Sequence, residues 1–149
     1  MSKLGRPVGS AVYGLRILNH HVAQQLTDAL EPHDLTLPQM GLLADVRRIP
    51  GVSSAALARV RSLTPQTMSE IITGLEKQRL IERRPHGGRI LRLYLTPAGT
   101  TRLSSALAAA ADVERRMLAG LSPKEQERFR DLIFQCVAHL TADQEQRAG

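Results

Sequence analysis

Apolar residues recur along this chain mostly every three or four positions, and the runs are broken by Thr-Pro, Ser-Pro and Pro-Gly pairs. From Val12 to Leu30 the series Val12, Leu15, Leu18, Val22, Leu26 and Leu30 keeps helical spacing and predicts a long amphipathic helix, closed by Glu31-Pro32-His33-Asp34. Thr36 and Gln39 have the spacing of a capping box at the start of a second helix. That helix carries Met40, Leu42, Leu43 and Val46 and stops at Ile49-Pro50-Gly51. A short third helix is expected behind Ser53 as N-cap, with Ala56, Leu57 and Val60 as its apolar side. Arg61-Ser62-Leu63 is the turn out of it. Thr64-Pro65 opens a fourth helix, Thr as cap and Pro at the first helical position, where its missing N–H costs nothing. Met68, Ile71, Ile72 and Leu75 share one face of it, and Gln66, Thr67, Ser69, Glu70, Thr73 and Lys77 the other. Gly74, mid-helix, reads as a close-packing position.

The spacing then changes. In RRPHGGRILRLYLT, Arg83 to Thr96, the paired glycines of His86-Gly87-Gly88 suit a tight turn, and the flanking runs suit two short antiparallel strands. Thr96-Pro97 opens a fifth helix lined by Leu103, Leu107, Ala110, Ala111, Met117 and Leu118, whose Ala108–Ala111 run would permit close helix approach. Ser122-Pro123-Lys124-Glu125 is a capping box for a last helix bearing Phe129, Leu132, Ile133, Cys136, Val137 and Leu140. Residues 1–7 carry no pattern and are expected to be frayed. The expected fold is mainly α with a small β-hairpin wing: a winged helix-turn-helix over residues 36–96, and a helical dimerisation region from residues 8–35 and 97–142.

Charge sharpens the picture. The chain has 20 basic and 14 acidic side chains, a net +6. Between Arg59 and Arg92 lie Arg59, Arg61, Lys77, Arg79, Arg83, Arg84, Arg89 and Arg92 against only Glu70, Glu76 and Glu82. Most of the excess therefore falls on this one segment, from the end of the third helix through the fourth helix and the hairpin, the electrostatic footprint of polyanion binding. A solvated, arginine-rich surface has the same composition, so charge alone does not decide. Helix-turn-helix geometry adds that the N-terminal end of the second helix meets base edges. There Gln66 can pair with adenine and the Thr67 methyl can meet a thymine methyl. Ser69, Thr73 and Lys77, further along, suit phosphates, and Ser53, Arg61, Thr64, Arg84, Arg89 and Arg92 complete the candidate DNA-contacting set.

Other chemistry is weakly represented. No Ser/His/Asp grouping, phosphate-binding loop or dinucleotide-binding glycine pattern argues for an enzyme, and no cofactor is expected. A protein-interaction module of the same shape is an alternative, against which the basic reading face counts. His20 and His21 are adjacent, about 100° apart on a helix, and so do not share a metal well; with His33 and His139 they could do so only in an assembly, and no metal site is expected. Cys136 is the single cysteine, which excludes an intrachain disulfide. Its place on an apolar stripe reads as a small buried hydrophobe. No apolar run approaches the length of a membrane span or a signal peptide, so a cytoplasmic protein is expected.

The segment ALARVRSLTPQTMSEIITGLEKQRLIERRP, followed by GGRILRLYLTPAG, resembles the core of the MarR family of bacterial winged helix-turn-helix regulators. The marks are Leu57-Ala58, Leu75-Glu76, Leu80-Ile81, Arg83 and Pro85, Arg89, and Leu95-Thr96-Pro97-Ala98-Gly99. The resemblance implies a homodimer, a pseudo-palindromic double-stranded operator, and repression relieved by a small molecule or an oxidant. It also implies a pocket between dimerisation helices and winged domain, bordered here by Tyr13, Arg16, His20, His33 and Met40. An Arg and a His beside apolar walls favour a small aromatic acid. One departure concerns the wing. The family's wing usually holds Asp-x-Arg, and here the positions are Gly87-Gly88-Arg89, so the Asp is missing. Minor-groove insertion is expected of Arg89, with Arg84 and Arg92 in reserve. The family's peroxide sensors carry their reactive cysteine near the N-terminus, where this chain has none, so ligand control is expected over thiol control through Cys136.

Overall fold

A computed structural model describes residues 11–88 and 90–148, with side chains as far as residue 142. The expectations for residues 1–7 and for Arg89 lie outside the described residues. The helices are α1 (Ala11–Leu30), α2 (Leu37–Arg48), α3 (Ser54–Val60), α4 (Pro65–Lys77), α5 (Pro97–Leu118) and α6 (Pro123–Ala148). A 3-10 turn, Glu31–His33, follows α1, and strands β1 (Ile81–Pro85) and β2 (Leu91–Leu95) form an antiparallel pair with Ile81 opposite Leu95 and Arg84 opposite Arg92. The mainly α fold with a hairpin wing is thus the observed one. Two compact units divide at Val113/Glu114.

The helix starts obey local chemistry. The Thr36 hydroxyl accepts from Gln39 N while Thr36 N donates to Gln39 Oε1, a complete capping box. Ser53 and Thr64 accept from the amides of Ala56 and Thr67, and the Thr96 hydroxyl accepts from Gly99 N. At α6 the Ser122 amide and hydroxyl both donate to Glu125 Oε2. Those bonds favour the charged carboxylate and hold the Glu125 pKa below its ordinary value.

The helix ends are less regular chemically. Asp34, Ser62 and Arg79 have φ of 51°, 51° and 57°, the left-handed conformation usually given to glycine. After α4, Arg79 N donates to Glu76 O and Leu80 N to Leu75 O; after α3, Ser62 N donates to Arg59 O and Leu63 N to Ala58 O. Both are Schellman closures. In each the next residue is apolar, and Leu80, 1% exposed, seals α4 into the core.

The core of the unit ending at Val113 joins Leu42, Leu43 and Val46 of α2 to Leu57 and Ala58 of α3, Met68, Ile72 and Leu75 of α4, Leu80, Ile81 and Leu93 of the hairpin, and Leu103 and Ala106 of α5. Arg102 Nη1 donates to His33 O at 2.7 Å and ties α5 to the turn after α1. Gly99 is set so tightly that an added Cβ would stand 1.9 Å from Leu80 O.

Several expected positions change. Val60 is 64% exposed and Ala58 takes its place, because a helix of only seven residues buries one narrow side. On α5, Leu103 and Leu118 are buried as expected and Leu107, Ala110 and Met117 are half-buried, but Ala111 is exposed, and Ala106 and Val113 are buried in addition. Cys136 is exposed, not buried, along with Leu132, Ile133, Phe134, Val137 and Leu140, so this apolar face of α6 is not packed as a core stripe among the described residues. Gly74 is in close quarters as expected: a Cβ there would stand 3.2 Å from Gln39 Nε2.

Candidate nucleic-acid interface

The face of α4 opposite its buried Met68, Ile72 and Leu75 is open to solvent: Gln66, Thr67, Ser69, Glu70, Thr73 and Lys77 are all exposed. The local bonds among them are short-range. Gln66 Nε2 donates to Glu70 Oε1 at 3.3 Å, and the Thr64 and Thr67 hydroxyls share a hydrogen bond at 2.9 Å. Both are exposed and one turn apart, so each can be exchanged for a bond to another partner at little cost. Lys77 has no ion-pair partner among the described residues. The same holds for exposed Arg59 of α3, counted in the basic segment but not singled out from sequence. The usable signal was its position just beyond the Leu57-Ala58 core pair. Ser53 serves as the cap of α3, half-buried.

Two expected DNA-contacting arginines are engaged elsewhere. Arg61 Nε donates to Asp45 Oδ2 at 2.7 Å, and its guanidinium lies over Gly41, where a Cβ would stand 2.7 Å from Nη2. It pins the turn between α3 and α4 onto α2. Arg92 Nη1 donates to Gly51 O at 2.9 Å. The cause is register: Gly51 and Val52 lie alongside β2, with Gly51 N donating to Leu93 O and Leu93 N to Val52 O, so the residue before Leu93 reaches the Gly51 carbonyl. This rung lays a third extended segment beside the hairpin, a feature with no signature in the sequence. Arg84, directly opposite Arg92, stays exposed; its Nε donates to Glu82 Oε1 at 2.8 Å and its guanidinium lies 4.5 Å above the Tyr94 ring. Arg83 pairs with Glu76 at 2.9 Å. At the tip, Gly87 and Gly88 have φ of 64° and 59°, the conformation the paired glycines suggested.

The five candidate pocket residues separate. Tyr13, Arg16 and His20 line one concavity on α1 with Ile17, Asn19, His21 and Ala23, and the Arg16 guanidinium lies 5.5 Å from the Tyr13 ring centre. Met40 is half-buried, packed against the core, because it falls one turn before Leu43 and Ala44 on α2. His33 belongs to the 3-10 turn and gives its carbonyl to Arg102. Neither lines the concavity on α1. Among the described residues no cluster of His, Cys, Asp and Glu could hold a metal, and no helix is long and apolar enough to cross a membrane.

A family model described as MarR family matches residues 33–90, from the turn after α1 to the wing. The HTH-type transcriptional repressor Rv2887 of Mycobacterium tuberculosis is 32% identical over 129 residues, covering 85% of this chain and 91% of the relative. The chain belongs to the MarR family. Members of this family are transcriptional regulators and not enzymes. The fold agrees with that of Rv2887 solved in complex with DNA, at a TM-score of 0.76 and 28% identity, covering 86% of this chain and 98% of that one. A second structure of the same mycobacterial protein, in complex with salicylic acid, matches at a TM-score of 0.73 and 30% identity over 87% of this chain and 98% of that one. In this MarR-family chain α4 carries the exposed polar face described above, and the β1–β2 hairpin is the wing.

Proposed function

We propose that this chain is a DNA-binding transcriptional regulator, a repressor, that binds a pseudo-palindromic operator as a homodimer and is released by a small aromatic acid. The observation that carries it is the open polar face of α4, running from Gln66 and Thr67 to Lys77 on a helix whose other face buries Met68, Ile72 and Leu75. Gln66 and Thr67 read base edges; Ser69, Thr73, Lys77, Ser53 and Thr64 hold phosphates; Arg89 enters the minor groove. The Rv2887 structure in complex with DNA supports this reading.

Dimerisation is supported by exposed apolar side chains at both ends of the chain: Val12 and Leu15 on α1, and Leu132, Phe134, Val137 and Leu140 on α6. Pairing across a two-fold axis buries them and sets two reading helices about one DNA turn, ~34 Å, apart. The Rv2887 structure in complex with salicylic acid supports an aromatic acid as ligand, and Arg16 beside Tyr13 offers a charge and a ring to receive one. Release requires that the ligand favour the conformation that does not bind operator, by ~1.4 kcal/mol for each tenfold loss of affinity. A protein acting on the chromosome in this way works in the cytoplasm.

One observation favours a second reading: Cys136 is exposed and so open to oxidation in the free chain. A single experiment separates the two. A duplex is selected from a random library, and its binding is titrated with small aromatic carboxylates and with peroxide, for the unmodified protein and Cys136→Ser. Release by carboxylates in both proteins is expected. Release by peroxide that vanishes in the serine variant would make this a thiol sensor, and failure to select any duplex would end the DNA-binding reading.

A further inference from the structure

The wing carries two arginines directly opposite one another, Arg84 on β1 and Arg92 on β2, which face the same side of the hairpin yet have opposite surroundings. Arg92 is withdrawn: Nη1 donates to Gly51 O, and Nε is buried with no partner. Tyr94, two residues along the same strand face, packs its phenol against Gly51, where a Cβ would come within 2.8 Å of the hydroxyl. Arg84 is presented: its side chain is 58% exposed, the Tyr94 ring lies under its plane, and Glu82 takes the Nε and Nη2 edge. Its Nη1 has no partner among the described residues. A guanidinium stacked on one side and bonded along one edge has lost most of its rotational freedom. The remaining donors keep a fixed direction, which suits a bidentate or single contact to a phosphate oxygen.

We propose that the two arginines divide the wing's work: Arg84 is a DNA-phosphate contact held ready by Tyr94 and Glu82, and Arg92 is a positioning residue that fixes the wing to the Gly51 turn. The proposal rests on the DNA-binding reading above. Glu82 does not defeat it. Its pair with Arg84 is exposed on both sides, and such pairs are weak enough for a phosphate to displace the carboxylate. The division also follows from the strand register. Direct opposition of two like charges is unfavourable unless each has its own counterpart, and here one has a carbonyl and the other a carboxylate and a ring.

Phosphate contacts are counted by salt dependence, because each releases condensed counterions when it forms. A positioning residue changes affinity without changing that count. The test uses the full chain and a fluorescein-labelled duplex selected from a random library by the unmodified protein. Affinity is measured at four salt concentrations, at a temperature well below every variant's melting midpoint. Arg84→Gln is expected to weaken binding and to lower the slope of log affinity against log salt by about two units per dimer, one for each wing. Its melting temperature should not move. Arg92→Met is expected to weaken binding with the slope unchanged. Arg92→Lys, which keeps a donor for Gly51 O, should recover most of the loss, whereas a residue acting only on global stability would not alter affinity so far below melting. An unchanged slope in Arg84→Gln, or an equal loss of slope in Arg92→Met, overturns the proposal. The two levels fail differently: a flat salt response in the unmodified protein refutes the DNA-binding reading itself, whereas a steep one that Arg84→Gln leaves intact refutes only the division between the arginines.

Discussion

Gly99→Ala is the change with the most direct structural consequence. The added Cβ would stand 1.9 Å from Leu80 O and 2.9 Å from Leu80 C, against about 3.5 Å for an unstrained contact. The Leu80 carbonyl must retreat by well over 1 Å, by roughly 3.5 minus 1.9 Å. It is not free to do so, since it accepts from Thr96 N at 3.1 Å, and Leu80 itself is 1% exposed in the core. Losing that hydrogen bond costs about 1 kcal/mol and overpacking a further 1–3 kcal/mol, offset by up to ~1 kcal/mol from the better helix former. The net expectation is a loss of about 1–3 kcal/mol. Gly14→Ala is the matched control: it lies inside α1 with nothing within 4 Å of the new atom, and should gain up to ~1 kcal/mol. Equilibrium urea unfolding at fixed protein concentration measures both. Because Thr96 also bonds Arg79 O and Gly99 N, the damage centres on the exit of the wing, and DNA affinity should fall in Gly99→Ala alone. Equal stability of the two alanine variants would refute the steric reasoning.

Arg79→Gly, at a φ of 57°, should raise stability by up to about 1 kcal/mol by relieving a left-handed non-glycine residue, read by the same unfolding assay. Gln66→Ala should cost about 1–3 kcal/mol per contact and relax preference at one operator position, read by competition with single-substitution duplexes. Leu132→Glu with Ile133→Glu should give monomers or aggregates that fail to bind a palindromic duplex, read by sedimentation; a well-folded monomer of the unmodified protein at micromolar concentration would contradict the dimer. The Glu125 pKa is depressed, so its support for the start of α6 is present above the ordinary glutamate range and is lost as pH falls through the lowered value; the Ser122 amide resonance should titrate there, and not in Glu125→Gln.

The helices, their order and the hairpin were legible because each rests on local signals: a Thr or Ser cap, a following Pro, a 3.6-residue stripe. The C-terminal turns were less legible, since Ser62 and Arg79 take the role of glycine and are held there by the apolar residue that follows. Burial was legible where a face meets the core of its own unit, as at Met68, Ile72 and Leu75, and misleading at Cys136, whose stripe is exposed among the described residues. Among the site residues, the exposed face of α4 followed from periodicity alone. The roles of Arg61 and Arg92 did not, because each is decided by a long-range partner: Asp45 sixteen residues back, and a carbonyl forty-one residues back. Charge counting treats such arginines as equal to Lys77, and tertiary structure does not.

Among the described residues, the rung between Val52 and Leu93 is the one isolated backbone bridge to the hairpin. Beyond it, toward the tip, run Arg84-Pro85 and Leu91-Arg92, two residues on each strand or about 7 Å. Mechanically the wing is a short cantilever, clamped at the rung and carried by the Arg92–Gly51 bond beside it. A groove that is wider or narrower than the wing's rest position would then bend the beam, not swing it about its root. The bending energy would grow with the square of the misfit, so the wing would report groove width as an energy while α4, behind the clamp, kept its own place.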